Sequence, residues 1–293
     1  MRDISPALAC RFLRRRVKPR LSFAQTLTEA ARAFALEFPY ETPEGGFRRQ
    51  RLGGVPTEVC GVGTPLLYLH GGAFFAGTPK SYRPIATAFA AMGFQVFTPA
   101  YRLAPRHIFP AAFEDARASF AALAQEHAAV ALAGDSAGAG LALGLMAARR
   151  QDGETLPQAA ALFSPWTDLA VTGVSARENE GRDPLFTRKM LKIASRAYLS
   201  GASPRDPRAS PLYAELSDLP PLLIHVAEDE LLRDDALRFA ASATEAGVET
   251  RLSLWPAVPH CWQLAIGVME EARASLREAA DFLRERVKSS TGP

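Results

Sequence analysis

Residues 131–141, Ala-Leu-Ala-Gly-Asp-Ser-Ala-Gly-Ala-Gly-Leu, decide how the rest of the chain is read. The segment begins apolar, as a buried strand does, and runs into the turn Gly134-Asp135-Ser136-Ala137-Gly138. Small and apolar residues follow (Leu141, Ala142, Leu143, Leu145, Met146, Ala147), which reads as a helix lying on a sheet. A strand, a sharp turn with serine at its apex, then a helix is the setting in which Gly-x-Ser-x-Gly presents a nucleophile. Gly134 and Gly138 flank the serine because so cramped a turn leaves no room for a Cβ. The helix N-terminus beneath Ser136 favours developing negative charge. A strand–helix turn with no chemistry has the same five residues, so the rest of the chain must decide.

Outward from this turn, strand and helix patterns alternate. Residues 65–70 and 95–101 are short apolar runs of the buried-strand kind, separated by a helix-like segment from Ile85 to Met92. Residues 110–125 read as helix, and the helix after Ser136 runs to about Arg150. Residues 159–165, 221–227 and 249–255 are three further strand candidates, and an amphipathic helix from about Val268 to Val287 closes the fold. Residues 289–293 are expected to fray. This alternation implies an α/β fold with a mostly parallel sheet covered on both faces. Functional residues of such sheets gather at the carboxyl ends of the strands, where Ser136 lies. From about residue 47, strands separated by glycine turns (Gly53-Gly54, Gly61, Gly63) lead into the alternation. Before it, residues 4 to about 40 carry two helical sets, Ile4, Leu8, Phe12, Leu13 and Leu27, Ala30, Ala31, Phe34, Ala35, with Pro19 as a break. Residues 174–210 fit no strand–helix unit. Leu185, Phe186, Met190, Leu191, Ile193 and Tyr198 make them too apolar for a linker, so they read as an insertion above the sheet.

Composition narrows the function classes. The 293 residues are 48% hydrophobic, enough for a large core, and 34 basic against 31 acidic residues predict no nucleic-acid surface. No run is long enough for a transmembrane helix. The basic residues Arg11, Arg14, Arg15, Arg16, Lys18 and Arg20 precede no apolar signal region, and read as a solvated helix face rather than a membrane anchor. Three widely spaced cysteines, Cys10, Cys60 and Cys261, argue against a disulfide framework or a zinc site and fit the cytoplasm.

A serine hydroxyl needs a general base, usually a histidine oriented by a carboxylate. Of five histidines, only His225 and His260 follow Ser136, as the chain order of a strand–turn–helix nucleophile requires. His225 sits inside an apolar run and reads as core. His260 follows the last strand in a loop that can reach over the sheet. The carboxylate should follow the preceding strand, where Glu228, Asp229 and Glu230 stand side by side, and spacing does not separate them. Asp234 and Asp235 read instead as the acidic first turn of the next helix. Residues 70–74, His-Gly-Gly-Ala-Phe, follow the strand ending at Leu69, where oxyanion-binding glycines stand in lipases and esterases. The Ala137 N–H beside the nucleophile is the other donor expected for a developing oxyanion.

The segments 70–84, 101–115, 134–143, 164–169, 206–236 and 259–262 together resemble the bacterial hormone-sensitive-lipase-like esterases of the α/β-hydrolase fold, in the family's order. The resemblance implies Ser136 as nucleophile, His260 as base and Asp229 as acid, with the amides of Gly71, Gly72 and Ala137 forming the oxyanion hole. It also implies a helical cap made of residues 1–45 and 174–210, over a catalytic domain of 46–173 and 211–293. Ala73 stands where most members have a third glycine, and Cys261-Trp262 where many have Gly-Phe.

The expected function is a serine carboxylic-ester hydrolase acting on short-chain esters through an acyl-enzyme, with neither metal nor organic cofactor. A lactone hydrolase or deacetylase with the same triad is the nearer alternative. A non-catalytic ligand receptor on this fold is the remoter one, disfavoured because all three triad members are present. Phe74, Phe75, Trp166, Leu185, Phe186 and Trp262 are the candidate pocket walls. The expected partner is a small-molecule ester or lactone, with no nucleic acid and no stable membrane insertion; a homodimer is compatible with this reading.

Overall fold

A computed structural model of the chain describes residues 3–34, 36 and 38–289. Ala35 of the N-terminal helical set and residues 290–293 of the tail lie outside them.

Eight strands form one sheet: β1 (Arg48–Leu52), β2 (Val55–Cys60), β3 (Thr64–Leu69), β4 (Phe94–Pro99), β5 (Ala131–Asp135), β6 (Ala160–Phe163), β7 (Leu222–Ala227) and β8 (Thr250–Trp255). Their spatial order is β1-β2-β4-β3-β5-β6-β7-β8. β2 runs antiparallel to β1 and β4, and every pairing from β4 to β8 is parallel. The chain thus has the α/β-hydrolase architecture. β5, β6 and β7 are buried along their whole length because helices cover both faces, which explains why they read as unbroken apolar runs.

The helices Ala111–Glu126, Ser136–Gln151 and Arg233–Glu245 pack on one face, around Phe120, Leu143, Met146 and Phe239. The helices Arg83–Ala91 and Glu270–Ser289 cover the other, around Phe89, Phe94 and Leu276. Parallel strands joined by crossover helices bring the ends of β3, β5 and β7 and the loop after β8 to one edge of the sheet.

Two segments lie outside the alternation. Near the N-terminus, Pro6–Phe12, Leu13–Val17 and Lys18–Phe23 form one helical run, followed by Leu27–Phe34. Pro19 does not break it. The turn Leu13–Val17 widens to a π-helical turn, and Pro19, which has no N–H to donate, falls in the first turn of Lys18–Phe23. Arg11, Arg14, Arg15, Arg16 and Arg20 are exposed, but Arg14 donates to the Arg182 carbonyl and Lys18 to those of Glu180 and Asp183. Between β6 and β7, the short helix Ser175–Glu178 and the helix Arg188–Leu199 carry the second segment. Thr187 caps the longer helix by accepting from the Met190 N–H. No helix among the described residues is long and apolar enough to cross a membrane.

Candidate active site

The turn after β5 is set by backbone crowding. A Cβ on Gly138 would stand 2.1 Å from the Leu69 carbonyl oxygen and 2.4 Å from that of His70; one on Gly134 would stand 2.8 Å from Leu69 O. The end of β3 therefore lies directly against the turn, and only glycine fits at both places. Ser136 is held at φ 52°, a left-handed conformation that non-glycine residues adopt at a cost of about 1–3 kcal/mol when the surroundings impose it. It is buried at the floor of a cavity and begins the helix Ser136–Gln151. The Ala137 N–H lies in the first turn of that helix, so no intrahelical carbonyl claims it.

Asp135, given no role by the sequence reading, ties this turn to the glycine loop after β3. Its carboxylate accepts from the Tyr68 and Tyr82 hydroxyls at 2.9 and 3.0 Å and from the Gly71 N–H at 2.9 Å. Burial pushes its pKa up while these three donors hold it down, and the balance lies above the usual carboxylate value. Next to it, His70 stacks on Tyr101, with ring centroids 4.3 Å apart, and Tyr101 donates to the His70 carbonyl. Burial lowers the His70 pKa to about 4, so the ring is neutral at physiological pH.

This wiring corrects one expectation. The Gly71 amide is already given to Asp135, so it is not free to bind an oxyanion. A Cβ there would stand 2.3 Å from the Asp135 carboxylate, so the glycine serves close packing. The next two amides, of Gly72 and Ala73, have no acceptor among the described residues, and both residues line the cavity. Gly72, Ala73 and Phe74 all have positive φ (118°, 52° and 63°), a run that turns the loop's peptide groups away from β-type pairing. Ala73 keeps the backbone conformation that a third glycine would adopt more readily.

The acid expectation is also corrected. His260 Nδ1 is hydrogen-bonded to Glu230 Oε2, and both side chains are buried. Glu230 Oε1 accepts from the Ala227 N–H at 3.0 Å, which folds the side chain back under the end of β7. Asp229, implied by the resemblance, points the other way and pairs with Arg182 at the surface. Three consecutive acids cannot face one way, and no local pattern marks the middle or the last as the inward one. For His260, burial opposes the charged ring most, but Glu230 by charge and hydrogen bond, with the Asp183 and Asp135 charges, outweighs it. The imidazole is held above its ordinary value. His260 Nε2 is buried with no hydrogen-bond partner among the described residues, and His260 and Ser136 line the same cavity. Cys261, next in the chain, sits at φ 52°, the left-handed region that favours glycine.

The remaining candidates divide. His225 is a core residue, hydrogen-bonded to Ser275 and facing Glu278. Asp234 and Asp235 do open the helix Arg233–Glu245, and Asp235 also accepts from the amides of Thr167 and Asp168. Phe75, Leu185, Phe186 and Trp262 line the cavity of about 1080 Å³, most of whose wall is apolar. Phe74 and Trp166 do not. Phe74 stacks on Tyr198 with centroids 3.8 Å apart, and Trp166 is buried beneath it, its amide donating to the Ser136 carbonyl. The N-terminal run and the helix Leu27–Phe34 supply much of the remaining wall, through residues such as Leu8, Phe12, Leu13 and Phe34. Among the described residues no group of three His, Cys, Asp or Glu is placed to hold a metal ion.

A family model described as alpha/beta hydrolase fold matches residues 66–264. An acetyl-hydrolase of Streptomyces hygroscopicus is 42% identical over 226 residues, 76% of this chain and 76% of the relative. An esterase of Acinetobacter venetianus is 34% identical over 254 residues, covering 84% of each. Among solved structures, an esterase from the bacterial hormone-sensitive lipase family superposes with a TM-score of 0.88 at 32% identity, covering 97% of this chain and 99% of its own.

Proposed function

We propose, from the premise that this chain belongs to the α/β-hydrolase family and is a carboxylesterase of its bacterial hormone-sensitive-lipase group, that Ser136, His260 and Glu230 carry the reaction. The observation that carries this reading is the buried pairing of His260 Nδ1 with Glu230, which leaves Nε2 unpartnered at the cavity that holds Ser136. His260 Nε2 takes the Ser136 proton as Oγ attacks the ester carbonyl. The amides of Gly72, Ala73 and Ala137 receive the oxyanion, each such donor being worth about 3 kcal/mol in the transition state. The alcohol leaves with the proton from His260, and water repeats the route on the acyl-enzyme. Glu230 fixes the imidazole tautomer and stabilises its charged form without itself taking the proton.

The substrate is a small-molecule ester with a short acyl group. The relative named acetyl-hydrolase favours this, and with it the deacetylase form of the same chemistry. The apolar cavity has room for a bulky apolar alcohol part as well. Residues 1–45 and 174–210 act as the cap: the first supplies most of the upper wall, the second supplies Leu185 and Phe186.

A p-nitrophenyl ester series from acetate to octanoate tests the acyl preference, with kcat/KM expected to be highest at the short end. Labelling by an organophosphonate, located by peptide mapping, should fall on Ser136. A protein that hydrolyses none of the series and is not labelled overturns the reading.

A further inference from the structure

The turn that carries Glu230 is not self-supporting. Its polar backbone groups are met by a segment some fifty residues earlier, between β6 and β7. Asn179 Nδ2 donates to the carbonyls of Glu228 and Glu230, at 3.1 and 3.0 Å. Asp183 Oδ2 accepts from the Leu231 N–H at 2.8 Å, and its Oδ1 accepts from Leu185 and Phe186 at 2.7 and 2.8 Å. Both side chains are fully buried, and the Asp183 N–H donates to the Asn179 carbonyl at 2.7 Å, so the two form one unit. The backbone of Glu230 is thus held on both sides, by Asn179 at its carbonyl and by Asp183 at the next amide. The same carboxylate orders Phe186, whose ring meets the His260 imidazole edge-on at 5.0 Å.

We infer that Asn179 and Asp183 are positioning residues for the Glu230–His260 pair, a clamp through which the segment between β6 and β7 fixes the catalytic carboxylate and wall. The inference rests on the proposed roles of Ser136, His260 and Glu230. A carboxylate displaced by a fraction of an ångström no longer holds the imidazole in line, and misplacement of about 1 Å can cost about a hundredfold in rate. Asp183 also acts through charge. The groups facing His260 are Glu230 from the turn after β7, Asp135 from the nucleophile turn and Asp183 from the clamp; the Cys261 thiol, next in the chain, is turned toward Asp135 and Ser164. The ammonium of Lys18 lies against Asp183, bound to its backbone carbonyl. Among these, Asp183 and Asp135 support the charged imidazole beside Glu230, which makes the two variants separable. Asp183→Asn removes a facing charge and one of two acceptor oxygens, whereas Asn179→Ala removes the two hydrogen bonds that Nδ2 donates and no charge.

The test uses the full chain on a short-acyl p-nitrophenyl ester, with active sites counted by organophosphonate titration so that misfolded protein drops out. Both variants are expected to lower kcat per titrated site by about 10- to 100-fold with KM changed less than about threefold. The acid limb of kcat/KM should move to lower pH in both, and further in Asp183→Asn, which also loses a facing charge, than in Asn179→Ala. A purely architectural role lowers the melting temperature of both while kcat per site and the acid limb stay at wild-type values; that result overturns the inference. If Asp183→Asn does not fold, Asn179→Ala decides: unchanged kcat per site refutes the clamp, and reduced kcat per site with KM little changed supports it. Ser136→Ala run alongside separates the two levels. Residual wild-type activity in that variant counts against the proposed function, whereas a dead Ser136→Ala beside unaffected clamp variants counts against the clamp alone.

Discussion

The turn after β5 brings Ser136 to the cavity and the turn after β7 brings Glu230 to His260, which lines the same cavity, but the two turns are held by different forces. At the first, glycines let the end of β3 approach so closely that Ser136 has no alternative place; at Gly138 a Cβ would meet the Leu69 carbonyl at 2.1 Å. The second, residues 228–232, contains no glycine. Glu230 is held by hydrogen bonds to Ala227, Asn179 and, through Leu231, Asp183, groups that its own neighbours in sequence do not supply in full. Crowding is enforced by repulsion and is local. A hydrogen-bonded turn depends on partners that fold onto it and contribute about 1 kcal/mol each.

This difference makes the two turns breakable in different ways. The largest effect on rate is expected at the proposed nucleophile and base: Ser136→Ala and His260→Ala should each lower kcat by roughly a millionfold, measured by stopped or continuous ester assay on protein of unchanged circular dichroism. The largest effect on stability is expected from Gly138→Ala, about 3 kcal/mol or more by urea unfolding, because both overlapping atoms are backbone and cannot move aside. Gly181→Ala, in the segment that grips the second turn, meets nothing within 4 Å and should change stability by less than about 1 kcal/mol. A Gly181 variant as damaging as the Gly138 one would erase the contrast.

The pH dependence tests the electrostatics of the second turn. In the proposed reaction the neutral imidazole is the base, and His260 is held above its ordinary 6.5 chiefly by Glu230 against the opposing effect of burial. Activity should therefore be full above that raised value and fall as the pH drops through it, with the acid limb of kcat/KM above 6.5. A limb below 6.5 would show that burial wins over the facing carboxylates.

What was legible in the sequence follows the same division. The alternation of apolar strands and helices gave the sheet, and the glycines around Ser136 gave the first turn, because both patterns are local. The scarcity of histidines after Ser136 singles out His260 and His225; the structure puts His225 in the core and His260 at the cavity, paired with Glu230. Glu228, Asp229 and Glu230 stayed equivalent in sequence, and the family resemblance pointed to Asp229, which instead meets Arg182. The choice depends on which side chain folds under β7, and Asn179 and Asp183 set that from a distance. Gly71 is illegible for a similar reason: its amide is given to Asp135, whose two tyrosine partners come from β3 and from the turn preceding the helix Arg83–Ala91. Phe74 and Trp166 were indistinguishable by type from Phe75 and Trp262, and only packing put the first pair in the core.

The smallest effect belongs to Asp229, and the pairing with its neighbour tests the central claim most directly. Glu230→Gln and Asp229→Asn should be measured side by side for kcat/KM on one short-acyl ester. Glu230→Gln is expected to lose about 10⁴-fold, as removal of the orienting carboxylate does in other triads, while Asp229→Asn stays within about threefold of wild type. The reverse order, with Asp229→Asn inactive and Glu230→Gln active, would contradict the assignment of Glu230 as the carboxylate that serves His260.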